Sequence, residues 1–122
     1  LKLISPRHEQ CAGHMADAYF RVKHRPVVTL TSTGPGSANM VMSLATALAD
    51  SSAFMAITSN VPTGQHNRGP FQELYTHNQA DFAQVLRPVV KRAFQPTRVD
   101  MLPLALRHLA LGRAVAFPRF LA

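Results

Sequence analysis

The chain has 122 residues, 47% of them hydrophobic, which is enough for one compact domain with a modest core and too little for two. Thirteen Lys and Arg against six Asp and Glu give a formal charge of +7, which suits nucleic acid, anionic lipid or a phosphorylated ligand and selects none of them. No apolar run reaches the roughly 18 residues that a bilayer span requires, and the single Cys11 rules out a disulfide, a zinc ribbon or a CxxC pair within these residues.

Apolar and amphipathic runs alternate, the pattern of repeating strand and helix units. The chain enters directly on Leu1, Leu3 and Ile4, with neither Met nor a preceding turn, which reads as a piece of a longer protein. Residues 2–5 form a strand end in this reading. From Arg7, the spacing of Ala12, Met15, Ala16, Tyr19 and Phe20 predicts a helix over 7–22 with that stripe buried. Cys11 reads as a small core residue. Arg21, Lys23 and Arg25, with His24, sit where this helix stops, and cations there complement the helix dipole. They read as solvated surface rather than as a nucleic-acid interface.

After Pro26, "VVTLT" is a β-branched run of the kind found in buried strands. Gly34, Pro35 and Gly36 then interrupt the chain before an amphipathic helix over 37–50 with Val41, Leu44, Ala45 and Leu48 facing inward. "AFMAIT" at 53–58 is a third strand, followed by a polar stretch from Ser59 to about Gln79. A connection of that length is uncommon without a job, which marks residues 60–75 as a candidate functional loop. A short helical segment at 81–86 precedes a strand at 89–94, and Thr97 with Asp100 can cap a helix over 98–111. Met101, Leu102, Ala105, Leu106 and Leu109 are its expected buried stripe. "AVAFPRFLA" at the end has strand composition, but Pro118 removes a ladder donor, which predicts an edge strand or a frayed end.

Connections of this kind favour a parallel sheet with helices on both faces. In such sheets ligands gather beyond the carboxyl ends of the strands. One rim therefore receives "SPRHE", "TSTGPGSAN" and "SNVPTGQHNRGPFQE". The glycine turn could present backbone donors to phosphate, yet it matches neither a Walker loop nor G-x-G-x-x-G; the alternative is a tight turn that glycine's dihedral freedom permits. His8, His14, His24, His66, His77 and His108 form no HExxH or comparable pair, so no protein-ligated metal is expected. No G-x-S-x-G elbow supports a nucleophilic serine. Glu9 reads either as an acid complementing the first helical turn or as a functional group on the rim.

Taken in order, "RHEQCAGHMADAYFRV", "TSTGPGSANMVMSLATALADS", "AITSNVPTGQHNRGPFQE" and "RPVVKRAF" resemble the N-terminal, pyrimidine-binding domain of thiamine diphosphate enzymes of the acetolactate synthase type. The resemblance runs from about Ile4 to about Leu111 and implies a parallel α/β sheet, truncated at its N-terminal side, with residues 1–122 as a partial domain. It implies that Glu9 hydrogen-bonds the aminopyrimidine of thiamine diphosphate and favours the tautomer that deprotonates the thiazolium, a task for which burial raises a carboxyl pKa. It also places Gly34, Pro35, Gly36 and Asn39 at the pyrimidine, and Phe71, Gln72, Pro62 and Lys91 at the substrate pocket, with Gln72 a catalytic candidate. Magnesium would be held by a diphosphate domain outside this sequence, and FAD is bound by some members of the family.

The implied parent is a cytoplasmic homodimer or homotetramer acting on a 2-oxo acid such as pyruvate, with no nucleic-acid or membrane partner, and the fragment alone is expected to be inactive. Three positions depart from the family pattern: Cys11 where glycine is frequent, Ser59 and Asn60 for a Gly-Gln pair, and "GRAVAF" for "GRPGPV". The rival readings are a non-catalytic α/β module that uses its basic surface for an anionic partner, and a degenerate relative without activity.

Overall fold

The computed structural model describes residues 2–60, 62, 82–96, 98–111 and 119–121. In chain order these contain α1 (Glu9–Lys23), β1 (Val28–Thr31), α2 (Pro35–Ala38), α3 (Val41–Ala49), β2 (Met55–Thr58), α4 (Phe82–Leu86), β3 (Arg92–Phe94), α5 (Leu102–Leu111) and β4 (Arg119–Leu121). Short 3₁₀ turns at Arg87–Val89 and Val99–Met101 precede β3 and α5.

The four strands form one parallel sheet in the order β1-β2-β4-β3, with Thr31 opposite Thr58 and Ile57 opposite Leu121 at the carboxyl ends. Successive side chains alternate between the faces. Ala56 and Ala93 join a core with Ala16, Met40, Leu44, Ala47, Phe54 and Leu86, which places α1, α3 and α4 on that face. Met55, Ile57 and Phe94 pack on the other face with Ala105 and Leu109 of α5. The sheet thus has helices on both faces, as expected. Helix α5 does not extend over β1, where Val28 and Leu30 remain exposed. Fully burying a side chain such as Phe54 contributes about 1.5–3 kcal/mol, so the first cluster dominates the core.

Several expectations need correction. Residues 2–6 adopt no regular structure, because no neighbouring strand among the described residues pairs with them. Helix α1 is rotated relative to the predicted stripe: it buries Gly13, Ala16 and Asp17, while Met15 and Tyr19 are exposed and Cys11 lies on the surface. Small residues win because α1 crosses α3 at very short range. A Cβ on Gly13 would lie 2.0 Å from Ser43 Oγ, a distance no packed atom occupies.

Asp17 tolerates its buried position through Arg21, whose Nε donates to both carboxylate oxygens at 3.0 and 3.1 Å. Burial pushes the Asp17 carboxyl up, but hydrogen bonds from Arg21 and Ser52 outweigh it and hold the group below its ordinary range. Arg21 also donates to Asp50 just past α3, so one guanidinium fastens the carboxyl ends of both helices.

The helix predicted over 37–50 divides at Asn39 and Met40 into α2 and α3, and its buried positions are Ser37, Met40, Ser43, Leu44 and Ala47 rather than the full predicted stripe. In α5, Ala105 and Leu109 are buried as expected, whereas Leu106, and Met101 in the turn before the helix, are exposed. Thr97 lies outside the described residues; Asp100 accepts from Arg98 at 3.0 and 2.7 Å. The last strand, β4, is central and not an edge. Its three residues begin after Pro118 in sequence, so the missing donor falls outside the ladder.

Replacing Gly13 by Ala should lower stability by roughly 1–3 kcal/mol, the usual cost of overpacking, through displacement of α1 from α3. The urea unfolding midpoint checks it; an unchanged midpoint would contradict the packing described.

Candidate functional site

Three features deliver a carboxylate to the carboxyl rim of the sheet. The His8 ring accepts from Gln10 N at 3.2 Å and caps α1, so Glu9 occupies the first helical turn. The Gly13 crossing sets the height of α1 against α3. Between β1 and α2 the chain turns at Gly34, whose φ of 62° and ψ of −113° suit glycine, and this brings Gly36 and Asn39 up to Glu9. The glycine turn is therefore the tight turn that was one of its two readings.

Asn39 Nδ2 donates to Glu9 Oε2 at 3.0 Å across thirty positions of sequence. The other oxygen, Oε1, faces the turn: a Cβ on Gly36 would sit 3.4 Å from it and 3.1 Å from Ser32 Cβ. Only glycine gives the carboxylate that approach without displacing a neighbour. A carboxylate in this position repels a second anion, which weakens the phosphate reading of the turn. Ser59, following β2, ties the third rim segment in through its backbone N–H and hydroxyl, both donating to Thr31 O at 3.1 Å.

The structure thus brings together Glu9, Gly34, Gly36 and Asn39, with exposed Pro35 on the outer side of the same turn. Pro62 is exposed beyond β2. Lys91 is the exception among the described candidates. It immediately precedes β3, whose first residue Arg92 is level with Arg119 and Met55, at the amino end of a parallel sheet and opposite to Glu9. Within this chain Lys91 is not part of the cluster. Phe71 and Gln72, with most of the candidate loop, lie outside the described residues.

Sequence reasoning missed a set of hydroxyls. Thr29, Thr31, Thr33 and Thr58 each bury Oγ1 without a hydrogen-bond partner, Thr31, Thr33 and Thr58 at or just past the carboxyl ends of β1 and β2 and Thr29 two residues before Thr31. Their signal was visible as four threonines in and after two strands expected to be apolar. No group of three His, Cys, Asp or Glu among the described residues could hold a metal ion, and no described helix is long and apolar enough to cross a membrane. The basic cluster at the end of α1 is reduced as an anion site, because Arg21 is engaged by Asp17 and Asp50.

The expectation that burial raises the Glu9 pKa is not what these residues produce. The Asn39 hydrogen bond, aided by a backbone hydrogen bond and by His8, outweighs desolvation and holds the half-buried carboxyl below its ordinary value of 4.5. A depressed folded pKa contributes stability that is present above the unfolded value and lost as pH falls. Asn39→Ala should therefore move the Glu9 titration upward and remove part of the stability loss below about pH 4.5. Carboxyl-carbon NMR titration measures the first and urea unfolding at several pH values the second, and an unmoved Glu9 titration would refute the pairing.

Comparison with known proteins places the chain in a family. Residues 1–82 match the family described as "Thiamine pyrophosphate enzyme, N-terminal TPP binding domain". The chain is 37% identical over 100 residues to a probable acetolactate synthase large subunit of Methanocaldococcus jannaschii, covering 82% of this chain and 16% of that protein. It is 37% identical over 105 residues to the mitochondrial acetolactate synthase catalytic subunit of Saccharomyces cerevisiae, covering 86% and 14%. It is 39% identical over 108 residues to the acetolactate synthase large subunit of Corynebacterium glutamicum, covering 86% and 16%. The chain therefore spans about a sixth of the length of these relatives. With a model match over two thirds of its residues, the chain belongs to the thiamine pyrophosphate enzyme family and contains sequence of its N-terminal TPP-binding domain.

Proposed function

We propose that these 122 residues are part of the pyrimidine-binding domain of an acetolactate synthase-like enzyme, and that Glu9 is the acid that addresses the thiamine diphosphate aminopyrimidine. The observation that carries this reading is the Glu9–Asn39 pair on a glycine turn at the carboxyl rim. Such a site suits a flat, weakly basic heterocycle. Gly34 and Gly36 leave room at the turn, and the carboxylate offers an acceptor to a ring nitrogen or N–H.

When bound, the coenzyme supplies the carbanion chemistry needed to decarboxylate a 2-oxo acid such as pyruvate and join the product to a second carbonyl compound. The chain's own residues position and tune. Asn39 fixes the Glu9 side chain through Oε2, leaving Oε1 turned toward the glycine turn. Glu9 would hold or release a proton at a ring nitrogen. For that purpose its pKa must rise from the depressed value of this chain, and stacking a ring and a neighbouring subunit over a half-buried carboxyl desolvates it in the required direction. Pro35 and Pro62, with Phe71 and Gln72 of the loop, are the proposed walls of the coenzyme and substrate pocket.

A parent with at least two subunits, a homodimer or homotetramer, fits the surface of α1. Met15, Tyr19 and Val22 form an exposed apolar line at helical spacing behind Glu9, with Val22 72% exposed. Magnesium would be bound by a diphosphate domain elsewhere in the parent; FAD as a further cofactor and a cytoplasmic location are proposals of the same reading.

In the intact protein, Glu9→Gln should lower turnover of pyruvate by about 100- to 10,000-fold, the range of general acid–base catalysis. Thermal stability should change little, since glutamine keeps the size and can still accept from Asn39. Retained turnover would refute the assignment. The 122-residue segment alone, supplied with thiamine diphosphate and magnesium, should consume no pyruvate; clear consumption in a coupled assay would show that the site is complete without a second domain.

A further inference from the structure

The four orphan threonine hydroxyls are the largest set of unexplained polar atoms in the described structure. Thr29 is 6% and Thr58 4% exposed, and both are on the sheet face covered by α1 and α3. Thr31 shares that face by strand alternation with Thr29 and stands directly opposite Thr58 in the ladder. Thr33 extends the row into the turn that Gly34 makes. Leaving a buried hydroxyl unpaired is unfavourable, and native proteins almost always pair such groups with protein or ordered water.

The backbone around these hydroxyls is engaged. Thr31 O accepts from Ser59, and Ser32 O accepts from Ser37 Oγ at 3.3 Å. Hydroxyls that can both donate and accept, buried between a sheet and its covering helices, suit water.

We propose that the carboxyl ends of β1 and β2 bind ordered water between the sheet and α1, held chiefly by the hydroxyls of Thr31 and Thr58 with Thr29 and Thr33 as further partners. This water lies on the inner side of the glycine turn. The point 3.4 Å from Glu9 Oε1, where a Gly36 side chain would begin, is 3.8 Å from Thr31 Cβ. Because Gly36 has no side chain to close that gap, the water provides the Glu9 carboxyl with an internal hydrogen-bonding route from the sheet side. The water site is independent of the coenzyme reading; its use by Glu9 for proton exchange rests on that reading.

The sign of a stability change tests the site. Thr31→Val and Thr58→Val keep shape and remove one hydroxyl each. If the hydroxyls share water, each single substitution in the intact protein lowers the melting temperature by a few degrees, and the double variant loses less than the sum, because both now lack the same water. If the hydroxyls are unpaired, removing either one relieves a penalty and stability does not fall. An unchanged or raised melting temperature in either single variant overturns the proposal.

A second measurement is independent of any variant. With labelled threonine methyl groups, long-lived water should give cross-relaxation to the methyls of Thr31 and Thr58 in the intact protein, and its absence there also overturns the site. Neither readout depends on coenzyme binding or turnover, so failure of the water site and failure of the coenzyme reading are distinguishable.

Discussion

The crossing of α1 over α3 is the constraint on which the rest of the structure depends. Gly13 permits the two helices to meet at a distance that any side chain would prevent, since a Cβ there would overlap both Oγ and Cβ of Ser43. With the middle of α1 fixed, its two ends acquire defined neighbours. Arg21 reaches Asp50 past the end of α3, and Glu9 reaches Asn39 ahead of its start. A helix rises about 1.5 Å per residue, so the fifteen residues of α1 carry one anchored point to both extremes of the domain.

This arrangement explains why an acid can sit at the head of an otherwise packed helix. Glu9 serves the helix dipole and is also the only described carboxylate that faces the glycine turn. The two readings are compatible: the dipole stabilises the same charge that Asn39 orients. A half-buried carboxylate held by one amide is pre-oriented and still responsive to its surroundings. Whatever closes over the rim changes the balance between the Asn39 hydrogen bond and desolvation, and the balance decides where the proton resides.

The polar character of the sheet beneath this rim belongs to the same design. Strands of a fully covered parallel sheet are ordinarily apolar. Here β1 and β2 place Thr29, Thr31 and Thr58 inward at the end that approaches Glu9, while Ala56 occupies the interior position next to them. The opposite face has a different weakness: α5 covers β2 and β3 but leaves Val28 and Leu30 exposed, with Leu30 65% accessible. The β1 face and the apolar line on α1 are exposed surfaces that the described helices do not cover.

The sequence by itself determined the alternation of strands and helices, hence the parallel sheet, because hydrophobic period and turn residues act locally. It determined the glycine turn, since Gly34 supplies a dihedral combination that other residues avoid. It also singled out Glu9, through the ordered motifs that resemble one family. Only the tertiary structure decided which face of α1 is buried, because periodicity marks apolar positions and cannot register that Gly13 and Asp17 pack better than Met15 and Tyr19 once Ser43 faces Gly13 from α3 and Arg21, one turn on in α1, pairs with Asp17. It decided that β4 is central, since strand order depends on crossovers and not on local composition. It separated Lys91 from the rim, because strand direction assigns each flanking residue to one end of the sheet or the other. And it joined Glu9 to Asn39, a pairing between residues thirty positions apart that no local signal encodes.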